Sequence, residues 1–295
     1  MNYKTSSICF VAALLFTFFV TGSSSPAAEP AQPIDQPLPD IQKKNEQPQR
    51  PPVELNKEYF KRYWTDTKAI LTAPAQWDQS DWIKASVVLG VTAGLYTQDD
   101  KIRIWVQKHK TRGTTHFADD ASKIYTYSLP ALGALGLYGY VVKDEKAKTT
   151  FLLGAESVII TSVFVQTLKR STGRHRPSTG DSHDTWSGPT PSGHNERLSF
   201  PSGDASTAFA IASVVASEYD NVIVPPLAYT AATLVALERV HNNAHWASDV
   251  FLGSAIGYFA GKAIVRYHSG KQESTLSLTP MIDGKDVGLM VTYRF

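Results

Sequence analysis

Cysteine is almost missing from this chain: of 295 residues only Cys9 carries a thiol. It stands inside an apolar run rather than after it, so it is not placed to carry a lipid anchor, and the remainder has nothing to oxidise. An excess of charge is missing as well, with 29 basic residues against 27 acidic ones and no basic run. Clustered Lys and Arg are what neutralise a nucleic-acid backbone, so neither DNA nor RNA is an expected partner. Strand signals are absent between about residues 56 and 268, which leaves helices to build that stretch. Long clean apolar runs are also scarce. A bilayer span needs about 20 apolar residues, and several runs are shorter or carry Lys84, Glu156, Glu218 or Lys262. Residues 124–142 and 151–168 are the best candidates to span, and the sequence alone leaves that question open.

What is present begins with an address. Lys4 precedes an apolar stretch over residues 8–20, and small residues follow at Gly22 to Ser25 and at Ala27 and Ala28. That is the pattern of a secretory signal peptide over residues 1–28, with a retained membrane anchor as the alternative. Either way the rest is expected to be exported, to the periplasm or the periplasmic face of a bacterial membrane. Without residues 1–28 the balance is 28 basic against 27 acidic residues. Eight of the seventeen prolines then crowd into residues 25–55. With few large apolar side chains to offset ordering entropy, residues 29–55 are expected to be a disordered, partly polyproline linker.

Helical periodicity takes over from Leu55. Tyr59, Phe60, Tyr63, Trp64, Ile70 and Leu71 recur at helical spacings, giving an amphipathic helix that packs on its successors or lies at a membrane interface. Apolar helical stretches follow at 82–96, 124–142, 151–168, 205–217, 222–237 and 250–265. The expected fold is all-α, a bundle of about six main helices with one or two peripheral ones over residues 56–268. The tail, residues 269–295, alternates at Leu276, Leu278, Val287, Leu289, Val291, Tyr293 and Phe295 around Asp283-Gly284, the pattern of a short β-hairpin.

Three segments between Lys169 and Asp249 carry chemistry. The first, Lys169 to Pro177, holds five basic or histidine residues in nine at the end of an apolar helix. Helix ends attract cations for their own sake, but Lys as a point charge and Arg as a planar fork also suit a tetrahedral oxyanion. The second, Ser199 to Ser206, runs Pro201-Ser202-Gly203-Asp204 straight into a helix. It is either an ordinary N-cap or a cradle of hydroxyl and N–H groups for an anion. The third, Glu238 to Asp249, sets Asp249 one turn beyond His245, where it can hold one ring nitrogen while the other faces a site.

Taken together these segments resemble the signature of the type 2 phosphatidic acid phosphatase and vanadium haloperoxidase superfamily, Lys-x6-Arg-Pro, Pro-Ser-Gly-His and Ser-Arg-x5-His-x3-Asp. Lys169 with Arg176-Pro177 fits the first, and Arg239, His245 and Asp249 fit the third. The resemblance covers about residues 82–266. It implies that Lys169, Arg176 and Arg239 grip a phosphate, that Ser202 and the Gly203 N–H cradle its oxygens, that His245 attacks phosphorus and that Asp249 orients the imidazole. It further implies a phosphatase working through a phosphohistidine with no metal or other cofactor, on a phosphorylated lipid or a small phosphomonoester, with a membrane as partner. A soluble periplasmic acid phosphatase and an inactive envelope binding or structural protein are the alternatives. Two positions depart from the signature. Glu238 replaces the usual Ser, to pair with Arg239 or to face outwards. Asp204 replaces the histidine that protonates the leaving group, while a literal Pro191-Ser192-Gly193-His194 lies ten residues earlier in a Gly/Pro/Ser-rich loop. Asp204 is the expected equivalent because its segment opens an apolar helix, as anion binding requires.

Overall fold

The computed structural model describes residues 57–190, 194–219, 221–269, 275–283 and 286–294. The signal-peptide and linker expectations, and Pro191 to Gly193, lie outside the described residues.

Eight helices are described: α1 (Lys57–Thr72), α2 (Gln79–Tyr96), α3 (Asp99–Lys108), α4 (Arg112–Val142), α5 (Glu145–Thr172), α6 (Gly203–Glu218), α7 (Val224–His241) and α8 (Ala247–Ser269). The six apolar stretches coincide with α2 and α4 to α8, apart from Val222 and Ile223, which precede α7. Several helices extend beyond those stretches because side chains cap them at polar positions. Asp78 Oδ1 accepts from the Asp81 N–H at 2.9 Å at the start of α2, and Thr111 with Thr114 forms a capping box that begins α4 well before the apolar residues at 124. Helix α3 has no counterpart among the expected stretches. Of its side chains only Ile102, Val106 and Asp99 are buried, too narrow an apolar stripe to announce a helix.

Helix α6 is the centre of the bundle and packs on α5, α7 and α8. Its Ala205, Ala208, Phe209, Ala212 and Ala216 meet Val250, Phe251 and Ala255 of α8 and Tyr229, Ala232 and Ala236 of α7 in one apolar cluster. The α6–α8 approach is close enough to demand glycine. A methyl group at Gly257 would lie 2.0 Å from the Ser206 carbonyl oxygen, and one at Gly253 would lie 2.3 Å from that of Ser202. Such backbone contact between helices locks the start of α8, with Asp249, against the start of α6, with Ser202. The Ser202 N–H donates to the Asp249 carbonyl at 2.9 Å.

Helix α5 is the one described helix long and apolar enough, by length and composition, to cross a membrane. Large apolar side chains stand exposed on it and on α4, among them Val163, Tyr127, Leu137 and Val141. Past the bundle, β1 (Thr275–Asp283) and β2 (Asp286–Arg294) pair antiparallel, with Thr275 opposite Arg294 and Asp283 opposite Asp286.

Candidate active site

The three segments meet at the end of α5 and the starts of α6 and α8. Helix α5 stops at Gly173, which takes a left-handed φ of 61°. The turn brings it so near the returning loop that a methyl there would sit 2.1 Å from the Gly188 carbonyl. Lys169, in the last turn, is buried and gives its ammonium protons to the carbonyls of Leu198 at 2.6 Å and Ser199 at 3.3 Å. Its stem passes Gly203, whose ideal Cβ position is 3.5 Å from Lys169 Cε. Arg176 donates to the backbone and side-chain oxygens of Asn195 at 2.8 and 3.0 Å, and to the Ala244 carbonyl at 3.2 Å. It therefore ties the first segment to the residue that precedes His245.

Ser202 is fully buried and is the N-cap of α6, its Oγ accepting from the Ala205 N–H at 3.4 Å. The capping role is met, and the hydroxyl proton stays available to donate. At the end of α7, Asn243 adopts a left-handed φ of 58°. The chain then turns so that the N–H groups of Ala244 and His245 both reach the Arg239 carbonyl, at 3.0 and 3.3 Å.

His245 is buried, with Nδ1 turned inwards and Nε2 left as the nitrogen able to attack. The direct hold by Asp249 expected from the spacing is not what the structure has. Asp249 Oδ2 lies 3.8 Å from Nδ1, beyond hydrogen-bonding reach. Ser199 stands between them, its Oγ 3.4 Å from Nδ1 and donating to Asp249 Oδ2 at 2.5 Å. Asp249 is drawn away by other donors, the Trp246 N–H at 3.0 Å on Oδ2 and Arg174 at 2.5 Å on Oδ1.

Arg174 is the largest omission of the sequence reading, which counted it only among the basic residues of its segment. It is fully buried and donates to Asp249, to Ser248 Oγ at 2.8 Å, to Asp99 Oδ2 at 2.8 Å and to the His183 carbonyl. The rings of Tyr96, Trp186 and Trp246 surround it, the nearest centroid 4.8 Å away. Asp99 answers from α3 and also accepts the Ser248 N–H at 3.0 Å. No local pattern separates Arg174 from the exposed Arg170, and Asp99 is 75 residues from its partner, so only the fold shows the pairing.

The two departures from the signature also find their places. Glu238 is buried and pairs with Arg239 Nε while accepting from Asn242, so of its two readings the pairing is the one present. Asp204 sits in the first turn of α6 with Oδ2 2.7 Å from Arg239. His194 is half-exposed and rests 3.0 Å from Glu196.

Burial, with the charges of Lys169 and Arg176, pushes the His245 imidazole down to about 4 against the opposing pull of Asp249, so it is neutral at ordinary pH. Burial works to raise the Asp204 carboxyl, but His245, Arg239 and a hydrogen bond from Tyr125 outweigh it and hold it below the usual carboxylate range. Arg176 and Arg239 influence each other as well as Asp204, so Lys169, Arg176, Arg239, Asp204, His245 and Asp249 occupy one electrostatic neighbourhood. A shallow cleft lined by Thr167, Arg170, Ser171, Pro189 and Thr190 takes in none of the six.

Comparison with known proteins gives a family match over the same stretch. Residues 151–273 match the family model of the PAP2 superfamily. A lipid A 1-phosphatase from Porphyromonas gingivalis is 41% identical over 66 residues, 22% of this chain and 15% of that protein. A lipid A 1-phosphatase from Rhizobium johnstonii is 33% identical over 158 residues, 51% of this chain and 63% of that protein. The chain thus spans less than two thirds of the length of either relative. Of solved structures, Aquifex aeolicus LpxE is 23% identical at a TM-score of 0.41, over 57% of this chain and 93% of its own. A transmembrane PAP2 type phosphatidylglycerolphosphate phosphatase from Bacillus subtilis is 15% identical at a TM-score of 0.43, over 72% and 95%. The matched segment holds Lys169, Arg176, Ser202, Asp204, Arg239, His245 and Asp249, so the residues of the candidate site lie within the stretch that is similar to the PAP2 superfamily.

Proposed function

We propose that the chain is a phosphoric ester hydrolase that removes phosphate from a lipid, with His245 as nucleophile. The observation that carries this reading is the meeting of three cations and a helix N-terminus around a buried, neutral imidazole. Lys169 keeps one ammonium proton beyond its two carbonyl partners, and Arg176 keeps unused N–H groups on both terminal nitrogens. With Arg239 and the first N–H groups of α6 at Gly203, these can hold the oxygens of a phosphate and meet the charge that builds up in transfer. His245 Nε2 attacks phosphorus and the bond to the leaving oxygen breaks. Asp204, protonated once a bound phosphate dianion has neutralised its cationic neighbours, supplies the proton to that oxygen. Water then attacks the phosphohistidine, releasing inorganic phosphate and restoring the imidazole. Ser199 and Asp249 steady the ring as it gains charge. The protein groups suffice for this route, and no step requires a metal.

The lipid assignment draws on two supports. Both curated relatives are lipid A 1-phosphatases by name, and α4 and α5 expose large apolar side chains suited to a bilayer or to acyl chains. Phosphate release from lipid A, phosphatidate, an isoprenoid diphosphate and p-nitrophenyl phosphate, presented in the same detergent, tests it. Preference of at least about tenfold in kcat/KM for one of the lipids is expected. Equal rates on all four, with release into the soluble periplasmic fraction on osmotic shock, would favour the broad acid phosphatase instead.

A further inference from the structure

A second cluster of ionisable groups lies away from the phosphate site. Asp66 of α1, Glu156 of α5 and His268 of α8 converge, with their donor atoms all within 4.8 Å of one another. Glu156 is 13 residues from Lys169 on the same helix, about 20 Å at the helical rise per residue. His268 Nε2 stands 3.0 Å from Asp66 Oδ2 and 3.2 Å from Glu156 Oε2. Yet neither oxygen of Glu156 nor either nitrogen of His268 makes a hydrogen bond, although all four atoms are buried. The nearby Tyr59 hydroxyl lies 3.2 Å from the Leu152 carbonyl and also interacts with Glu156. Buried carboxylates are costly, and Asp66 and Glu156 share a single imidazole between them, so the cluster is short of positive charge.

From this geometry we propose that Asp66, Glu156 and His268 bind a first-row divalent cation of the zinc or manganese class. The spacing fits such an ion. Bonds of about 2.0–2.2 Å from nitrogen and oxygen set neighbouring donors roughly 3.0–3.4 Å apart, which is the separation of both His268 contacts. The charge fits too. An imidazolium would leave two carboxylates and one positive charge buried together, a net of minus one, whereas a divalent ion with a neutral imidazole closes the balance at zero. Imidazole with carboxylate is a donor set that suits zinc and manganese. Asp66, the least buried of the three, gives the ion a way in. By joining α1, α5 and α8 the ion would fix α1 to the bundle and serve stability rather than chemistry.

The test uses the full-length protein without a histidine tag, stripped with EDTA, dialysed, and titrated with Zn²⁺ and separately with Mn²⁺ by calorimetry, with Tm as a second readout. About one equivalent should bind one of the two ions, and a hundredfold excess over Kd should raise Tm by roughly 5 °C or more. Glu156→Gln and Asp66→Asn should each lose the binding and the Tm response, while His245→Ala keeps both. Asp66→Asn, at the less buried position, serves if Glu156→Gln does not fold. No stoichiometric binding of either ion by the wild-type protein, or undiminished binding by a folded Asp66→Asn or Glu156→Gln variant, overturns the proposal.

Discussion

The His245 imidazole, held near 4, is unprotonated across the neutral and mildly acidic range, so in its proposed role as nucleophile it needs no base to free it. His245→Ala should therefore remove turnover to below about 1% of wild type while circular dichroism stays unchanged, because the loss is one of chemistry. Asp204 has the opposite problem. Its carboxyl lies below the usual range in the empty site, so it is ionised at neutral pH and becomes a competent acid only as pH falls or as a phosphate dianion offsets Arg239. The rate on alkyl phosphates should consequently rise towards acidic pH and fall again as His245 protonates near 4, whereas p-nitrophenyl phosphate, with its good leaving group, should show a flatter acid side. Asp204→Ala should cost about 10²-fold or more on the alkyl ester and much less on the aryl one. The same loss pattern in His194→Ala, with Asp204→Ala affecting both esters alike, would move the acid role to His194. Ser199→Ala separates the bridge from direct contact: kcat should drop about 10- to 100-fold with little change in KM.

At the level of elements, the site rests on a buried ion-pair chain that links α3, the loop after α5 and α8. Arg174 joins Asp99 to Asp249, all three without exposed side-chain surface. Removing one member strands a charge in the interior, which costs about 3–5 kcal/mol. Asp99→Asn should lower the urea midpoint accordingly and also reduce kcat, because Asp249 loses the anchor that places Ser199 and His245. Unchanged kcat in a destabilised variant would confine Asp99 to folding. The helices that carry the candidate site residues were legible in the sequence because α5, α6, α7 and α8 combine apolar stretches with fixed motif spacings. Helix α3 was not legible. Its contribution is a single buried carboxylate whose partners are Arg174 and Ser248, 75 and 149 residues away. The Asp249–His245 spacing likewise predicted a direct contact, and what displaced it was competition from Arg174 and Trp246, which no local pattern encodes.

Across the whole molecule two uses of positive charge are proposed: fixed side-chain cations for phosphate transfer at the α6 end, and an exchangeable ion among α1, α5 and α8. EDTA at 25 °C should leave kcat within about twofold while lowering Tm, and vanadate, which mimics pentacoordinate phosphorus, should inhibit competitively. A folded enzyme that loses turnover in EDTA and regains it with zinc or magnesium would contradict the catalytic scheme. The most direct test of that scheme looks for the covalent intermediate itself. In rapid-quench experiments with ³²P-labelled substrate, the wild-type protein should acquire acid-labile, base-stable label on a single peptide containing His245, and His245→Ala should acquire none. Turnover without any labelled wild-type protein, or equal labelling of the His245→Ala variant, would contradict the account.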